Sequence, residues 1–348
     1  MSDLKDYDYT LPRKLIAQHP LAHRADARLM VIRRDDATIE HHYVRDLPAI
    51  LRADDCLVVN NTKVLPARLV GRRTATGGHW EGLFLEADDQ GCWKILSKSR
   101  GKIQPGETVT LVRYAGQDDA ELTLVQPLGG GRWVARPRCA NPTIDLLRQF
   151  GRVPLPHYIR GGSMVPDDRE RYQTVFARHD GSVAAPTAGL HFTDGLLEAL
   201  ADGGISIADV TLHVGLDTFR PITTDRLEDH QMHSECGEIA ATAVVRIQNA
   251  RAAGGRLVAV GTTSVRVLET ASRSGELDSW SGNTELFIKP PYKFRAIDAL
   301  MTNFHMPCTT LLVLVCCFGG HKLIMDAYDE AVQEAYRFYS YGDAMLIL

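Results

Sequence analysis

The chain has 348 residues, 45% of them hydrophobic, and its 39 Lys and Arg against 43 Asp and Glu leave a formal net charge of −4. That composition is globular, and the length predicts two domains or one large domain with an insertion. The charge excludes a uniformly basic nucleic-acid-binding chain, so any such site has to be a local patch. The seven cysteines are odd in number and form no CxxC pair, which reads as reduced thiols in a cytoplasmic protein. Met1 to Tyr7 has no apolar h-region, and the longest apolar run, Leu311 to Phe318, is too short to cross a bilayer, so no membrane contact is expected.

In chain order, residues 1 to 34 read as a short helix followed by a strand, Arg28 to Arg33, with Thr38 to Tyr43 as the second arm of a hairpin. His41 and His42 are expected to be solvated. Cys56 to Asn60 is a short buried strand running into the polar loop Asn61 to Arg68. Asn60 and Asn61 each donate and accept, which suits reading a base or ribose; turn capping is the plainer alternative.

From about Gly71 to Val153 the pattern changes to short, partly alternating runs: Trp80 to Glu86, Gly91 to Leu96, Glu107 to Leu111, Ala120 to Gln126 and Arg132 to Arg136. Glycine-rich turns separate them, which predicts a small β-barrel or sandwich inserted in an α/β protein. Lys98-Ser99-Arg100-Gly101-Lys102 is a basic turn able to neutralise phosphates, or simply a solvated loop. Asn141 to Phe150 reads as a helix, and Pro154-x-Pro156 as the return linker. Tyr158 beside Arg160 suits stacking on bases.

Ser182 to Ala185 reads as the end of a strand stopped by Pro186. Thr193 is the expected N-cap of a helix, Asp194 to Ala201. Thr187 and His191 then lie in a loop between strand and helix, where open α/β sheets bind ligands. A further strand, Ile205 to Val214, carries His213 near its end, and Gly215 to Pro221 continues the loop. His230, His233, Glu235 and Cys236 invite a metal reading, but the HxxH spacing lacks the helical i, i+4 form; hydrogen-bonding and proton-transfer roles are preferred and no metal is expected.

Glu238 to Ala253 reads as a helix and Arg256 to Val260 as a strand. Gly261-Thr262-Thr263-Ser264 then opens a helix, Val265 to Ser272, and offers N–H groups and hydroxyls to an anion; Ser264 as a simple N-cap is the alternative. Strands are expected over Thr284 to Ile288, Ala299 to Thr302 and Ala344 to Leu348, with helices over Thr309 to Phe318 and Lys322 to Tyr339.

Polar loops thus follow strand ends at Asn60, Thr187 to His191, His213, Gly261 to Ser264 and Asn303 to His305. The words Asn60 to Arg68, Pro186 to Thr193, Thr211 to Gly215, Gly261 to Arg266 and Thr302 to His305 closely resemble the S-adenosylmethionine:tRNA ribosyltransferase-isomerases of queuosine biosynthesis. The resemblance runs in order from Tyr7-Asp8-Tyr9 to Tyr339 to Ala344. It implies a monomer with a large mixed-sheet α/β domain, residues 1–70 plus 154–348, and an inserted small β-barrel domain, 71–153. It also implies transfer of the ribosyl part of S-adenosylmethionine, a co-substrate rather than a permanently bound cofactor, to 7-aminomethyl-7-deazaguanine at a tRNA wobble position. The product would be epoxyqueuosine, with adenine and methionine released. Two departures stand out: Cys308-Thr309 replaces a usual Lys-Ser, removing a cation, and Pro290-Pro291-Tyr292 replaces Pro-Gly-Tyr, stiffening a loop.

That chemistry needs a base, a donor for departing adenine, a carboxylate holder and a grip on the wobble base. The expected proton-transfer groups are His191 first, then His213, His233 and His305, with Glu235 or Glu285 orienting one of them. Thr187, Thr262, Thr263, Ser264, Arg266 and Asn303 are expected to hold S-adenosylmethionine. Asn60, Asn61, Arg68, Lys98, Arg100, Lys102 and Arg160 are the expected tRNA contacts. The competing readings are an S-adenosylmethionine-dependent RNA methyltransferase, for which the G-x-G turn is missing, a non-catalytic RNA-binding module, and a hydrolase with a metal on His230 and His233.

Overall fold

The computed structural model describes residues 3–114, 120–139, 141–215 and 222–348; the loop from Leu216 to Pro221 lies outside the described residues. The chain divides into two compact units, one of residues up to Lys63, Tyr158–Gly161 and Arg171–Leu348, the other of Val64–His157 and Gly162–Glu170.

The first unit opens on 3₁₀ turns, including Leu4–Tyr7, where a short helix is expected. It then holds β1 (Arg28–Arg33), β2 (Thr38–Tyr43), α1 (Leu47–Ile50), β3 (Cys56–Asn60) and β4 (Thr62–Val64), the last crossing the boundary at Val64. The second unit supplies β5 (Arg68–Arg73), β6 (His79–Ala87), β7 (Trp93–Ser99), β8 (Glu107–Leu111), β9 (Ala120–Gly129), β10 (Arg132–Pro137), α2 (Thr143–Phe150) and α3 (Asp168–Arg171), the last crossing the boundary at Arg171. The first unit resumes with β11 (His179–Ser182), α4 (Asp194–Asp202), β12 (Ser206–Leu212), β13 (Glu235–Ile239), α5 (Ala241–Ala252), β14 (Leu257–Val260) and α6 (Thr262–Ala271). It ends with β15 (Trp280–Thr284), β16 (Ala299–Asn303), α7 (Thr310–Gly319), α8 (His321–Gln333) and β17 (Ala344–Ile347).

Nine strands form one mixed sheet in the order β15-β13-β12-β3-β14-β16-β17-β1-β2. The strands β12, β3, β14 and β16 run parallel. Their apolar residues alternate between two cores, as a period of two requires. Cys56, Val58, Met30, Ile32, Met345 and Ile347 pack with α5 to α8 on one face. Leu57, Val59, Leu29, Val31, Ala344 and Leu346 pack with α1 and α4 on the other. Sheet strands that are buried on both faces read as continuous apolar runs, which is how Cys56 to Val59 is written.

The second unit is a closed antiparallel barrel, β10-β7-β6-β5-β8-β9. Trp80, Trp93, Ile95, Leu122, Leu124 and Ala135 are buried in it. Gly82 leaves the space that the Trp80 indole occupies, since a Cβ there would lie 2.2 Å from Cη2. The sixth strand, β5, is not foreseen by the sequence pattern, because Arg68, Arg72 and Arg73 interrupt the apolar alternation.

Four expectations need correction. Residues 183–186 are not strand; β11 ends at Ser182 and pairs with β4 in a separate two-stranded ladder. Glu235–Ile239 is strand rather than the start of a helix, with alternate residues buried, and α5 begins at Ala241. Its partner β15 occupies Trp280–Thr284, not Thr284 to Ile288. The last helix stops at Gln333, and Ala335 takes φ 54, outside the right-handed helical region. Among the described residues no single helix is long and apolar enough to cross a membrane.

Candidate active site

Parallel strands place their carboxyl ends on one edge of a sheet, and the chain leaves β3 to one side for β12 and lies on the other for β14. Such a reversal opens a crevice. At this edge the structure opens a cleft with about 50 Å³ of free interior volume. Thr187, Gly261, Thr262, Thr263, Asn303 and His305 line it, drawn from three separate loops, and Tyr158, Phe304, Met306 and Tyr339 give it an apolar side. No helix or strand propensity brings these together; the sheet order does.

The N-terminus of α6 forms the floor. Gly261 is its N-cap with φ 88 and ψ 150, a conformation reserved for glycine, and no side chain caps the first turn. The initial N–H groups of a helix have no partner within it and favour an anion. Thr263 Oγ1 is buried and has no hydrogen-bond partner among the described residues. Ser264 does not contribute: it lies inside the helix rather than at its cap, and its hydroxyl donates to the Val260 carbonyl at 2.8 Å.

Asn303, the last residue of β16, ties the cleft to His191. Thr187 Oγ1 donates to Asn303 Oδ1 at 2.8 Å, and Asn303 Nδ2 lies 3.1 Å from His191 Nε2. An amide nitrogen only donates, so this Nε2 accepts and the ring carries its proton on Nδ1. His191 itself lines a smaller neighbouring pocket with Arg24 and Arg171, not the main cleft. Burial, with the Arg24 and Arg337 guanidinium groups, lowers its pKa to about 4. His305 does line the cleft. Its Nε2 meets Thr302 Oγ1 at 2.9 Å, Nδ1 has no protein partner among the described residues, and burial lowers the pKa to about 3. Both rings are therefore neutral at pH 7.

The remaining expected groups lie elsewhere in the first unit. His213 Nδ1 bonds Thr62 Oγ1 at 2.8 Å. Glu235 and Arg266 form a buried ion pair beside His233. Burial pushes the Glu235 pKa up, but the His233 hydrogen bond and the Arg266 charge overcome it and hold the carboxyl at about 2. Arg266 also donates to the carbonyls of Leu286 and Thr284, so it braces α6 against the end of β15 and the segment that follows it. Asn60 and Asn61 are buried with both ends of each amide engaged: Asn60 bridges Leu212, and Asn61 bonds Asp209 and Thr211. They latch β3 to β12 and present no edge for a base. Cys308, at φ 56, is not among the residues lining the cleft.

Arg160 donates to the Gln18 carbonyl, and its backbone N–H to Gln18 Oε1. In the barrel unit, Arg68 is held by Glu81 and the Gly162 carbonyl. Lys98, Arg100 and Lys102 are exposed. Arg73, paired with Glu107, donates to the carbonyls of Arg100 and Lys102 and fixes their turn. Sequence reasoning missed Tyr339, Ser340 and Thr302. Tyr339 takes φ 71 and lines the cleft, and Ser340 Oγ bonds the Tyr158 hydroxyl at 2.7 Å. The Tyr-Ser-Tyr word was the signal for Tyr339 and Ser340, and the Thr302 to His305 word that for Thr302. Among the described residues no three His, Cys, Asp or Glu side chains are placed to hold a metal ion.

A mixed sheet with a cleft at its parallel strand ends, in a chain that also folds a closed barrel, defines a two-unit α/β protein. The model of the family described as queuosine biosynthesis protein matches residues 4–347, and the chain belongs to that family. It is 49% identical over 346 residues to the S-adenosylmethionine:tRNA ribosyltransferase-isomerase of Symbiobacterium thermophilum, and 47% to that of Moorella thermoacetica, with 99% of each chain covered in both cases. The crystal structure of S-adenosylmethionine tRNA ribosyltransferase from Thermotoga maritima is similar at TM-score 0.56 and 35% identity, covering 99% of this chain and 100% of that one.

Proposed function

We propose that this chain transfers and isomerises the ribosyl moiety of S-adenosylmethionine onto 7-aminomethyl-7-deazaguanine at the tRNA wobble position, giving epoxyqueuosine in tRNA and releasing adenine and methionine. One observation carries the reading: in a chain aligned end to end with relatives of that name, Thr187, Gly261 to Thr263, Asn303 and His305 surround one cleft. The uncapped first turn of α6, with Thr262 and Thr263, holds the methionine carboxylate. The apolar side at Tyr158, Phe304, Met306 and Tyr339 takes a ring, by stacking or by exclusion of water. His305 removes the proton from the 5′ carbon beside the sulfonium, and His191 acts behind it as a positioning residue that orients Asn303.

The RNA is held at its backbone by Lys98, Arg100 and Lys102, with Arg160 beside the cleft residue Tyr158. The unit that holds the mixed sheet is the catalytic domain, and the barrel unit, Val64–His157 with Gly162–Glu170, is the inserted one. The protein works as a cytoplasmic monomer without a permanently bound cofactor. Mass spectrometry of precursor tRNA after incubation with S-adenosylmethionine tests the reading. A ribosyl-derived addition with free adenine and methionine is expected; a methyl addition, or none, overturns it.

A further inference from the structure

Residues 92–102 and 132–138 carry seven basic side chains and no acidic one, in a chain whose net charge is −4. They are far apart in sequence but adjacent in space, because β7 and β10 pair antiparallel with Arg132 opposite Leu96 and Val134 opposite Lys94. Trp93, Ile95, Trp133 and Ala135 point into the barrel. The alternation therefore turns Lys94, Leu96 and Lys98 outward on β7, and Arg132, Val134 and Arg136 outward on β10.

Two of the seven cations are neutralised locally: Lys94 pairs with Glu86 at 2.5 Å and Arg138 with Glu121 at 2.6 Å. The carboxylate opposite Lys98 on the next strand, Glu81, is already held by Arg68 and His79. Arg136 rests its guanidinium on the Cys92 thiol. Lys98, Arg100, Lys102, Arg132 and Arg136 thus have no carboxylate partner among the described residues, and the first turn of cations continues across the sheet into β10. Between them the face shows only Leu96 and Val134, with no aromatic ring. Sequence-tolerant stacking on bases rests chiefly on aromatic rings, and reading sequence needs donors held in a fixed aim at base edges. Spaced cations among small aliphatics supply neither; they neutralise a phosphate backbone.

We infer that the outer face of β7 and β10, with Arg132 and Arg136 joining the Lys98 to Lys102 turn, is a docking surface for the RNA phosphate backbone that is indifferent to base identity. It rests on the reading that tRNA is the substrate, and it adds a second strand and a mode of recognition. The test uses the full chain with Arg132→Gln, whose side chain has no hydrogen-bond or ion-pair partner among the described residues, and with Arg132→Gln/Arg136→Gln. Affinity is measured against salt for three RNAs: tRNA bearing the 7-aminomethyl-7-deazaguanine base, the same tRNA with guanine there, and an unrelated hairpin. S-adenosylmethionine affinity, by calorimetry, reports an intact first unit.

The double variant is expected to bind all three RNAs about tenfold more weakly, with the slope of log K against log salt shallower by about 1–2; the single variant shows a smaller loss of the same kind. Affinity and slope unchanged in both variants overturn the inference, as does a loss confined to the tRNA with the modified base. A wild-type protein that adds no ribosyl-derived mass to tRNA defeats the functional reading instead. A protein that does so while both variants bind like wild type defeats only this surface.

Discussion

Asn303 occupies the position on which the site geometry turns. Its carbonyl end is fixed by Thr187 and its amino end by His191, so the side chain cannot rotate without losing both bonds. Asn303→Ala removes them together and is expected to lower the single-turnover rate on precursor tRNA by about a hundredfold, in the range seen when a fixed polar group is removed from an active site. His305→Ala removes the proposed base and is expected to cost at least as much, about 10²–10⁴-fold. His191→Gln should cost about tenfold, because Asn303 keeps its Thr187 bond. The reverse ranking, with His305→Ala near wild type, would exchange the two roles. Glu235 makes a different kind of prediction. Its side chain is 1% exposed and that of Arg266 is 4% exposed, so Glu235→Ala leaves a guanidinium buried without its counter-charge. The expected cost is about 3–5 kcal/mol of stability by urea unfolding. Loss of turnover with stability intact would instead return Glu235 to the chemistry.

At the scale of elements, α6 shows why strand ends were readable and other features were not. A glycine followed by hydroxyl residues after an apolar strand is a local signal, and it placed the helix start within a few residues. Ser264 as cap was wrong because Gly261 takes the capping position in a conformation no β-carbon tolerates. Gly261→Ala is expected to destabilise by about 1–3 kcal/mol and to weaken S-adenosylmethionine binding, since the first turn would tilt. Its Cβ would meet only ordinary contacts, at 3.5 Å from Thr263 Oγ1 and 3.6 Å from the Ala188 Cβ. A stable, fully binding variant would therefore mean that the backbone conformation is dispensable. Thr262, Thr263, Asn303 and His305 were legible because each ends or follows an element with a clear period; Thr187 was reached from a strand end at Ala185, whereas β11 stops at Ser182. Tyr339 was not, because its place in the cleft comes from φ 71 in an irregular segment. Asn60 and Asn61 misled for a related reason: an amide at a strand end has the same spelling whether it faces a ligand or ties one strand to its neighbour. Strands β13 and β15 were displaced in the reading because Glu235–Ile239 mixes charge, glycine and cysteine, and only pairing with each other gives them an amphipathic face.

For the whole molecule, the same burial that keeps the two site histidines neutral sets the acid limit of the fold. In the unfolded chain each titrates near 6.5, whereas in the folded chain His191 titrates at about 4 and His305 at about 3. Between these values the unfolded state binds more protons, so stability is fully present above about pH 6.5 and declines as the pH falls. At pH 5 each histidine accounts for a loss on the order of 2 kcal/mol relative to pH 7. Glu235, with its carboxyl held at about 2, acts in the same direction at lower pH, its contribution waning only as the pH drops from about 4.5 towards 2. Asp343 opposes them. Burial raises its pKa despite the Arg337 and Arg28 backbone hydrogen bonds, so its contribution weakens stability as the pH rises through that raised value. The histidine windows open at 6.5, above the 4.5 at which that of Glu235 opens, so these rings act over the range from pH 7 to pH 5 before Glu235 does. The urea midpoint of the wild type should fall steadily over that range, and His191→Gln/His305→Gln should start lower at pH 7 but change less. A wild-type midpoint that stays level from pH 7 to pH 5, or a double variant with an undiminished slope, would show that these rings take up protons without unfolding the site, and with that the case for neutral imidazoles beside the cleft would be lost.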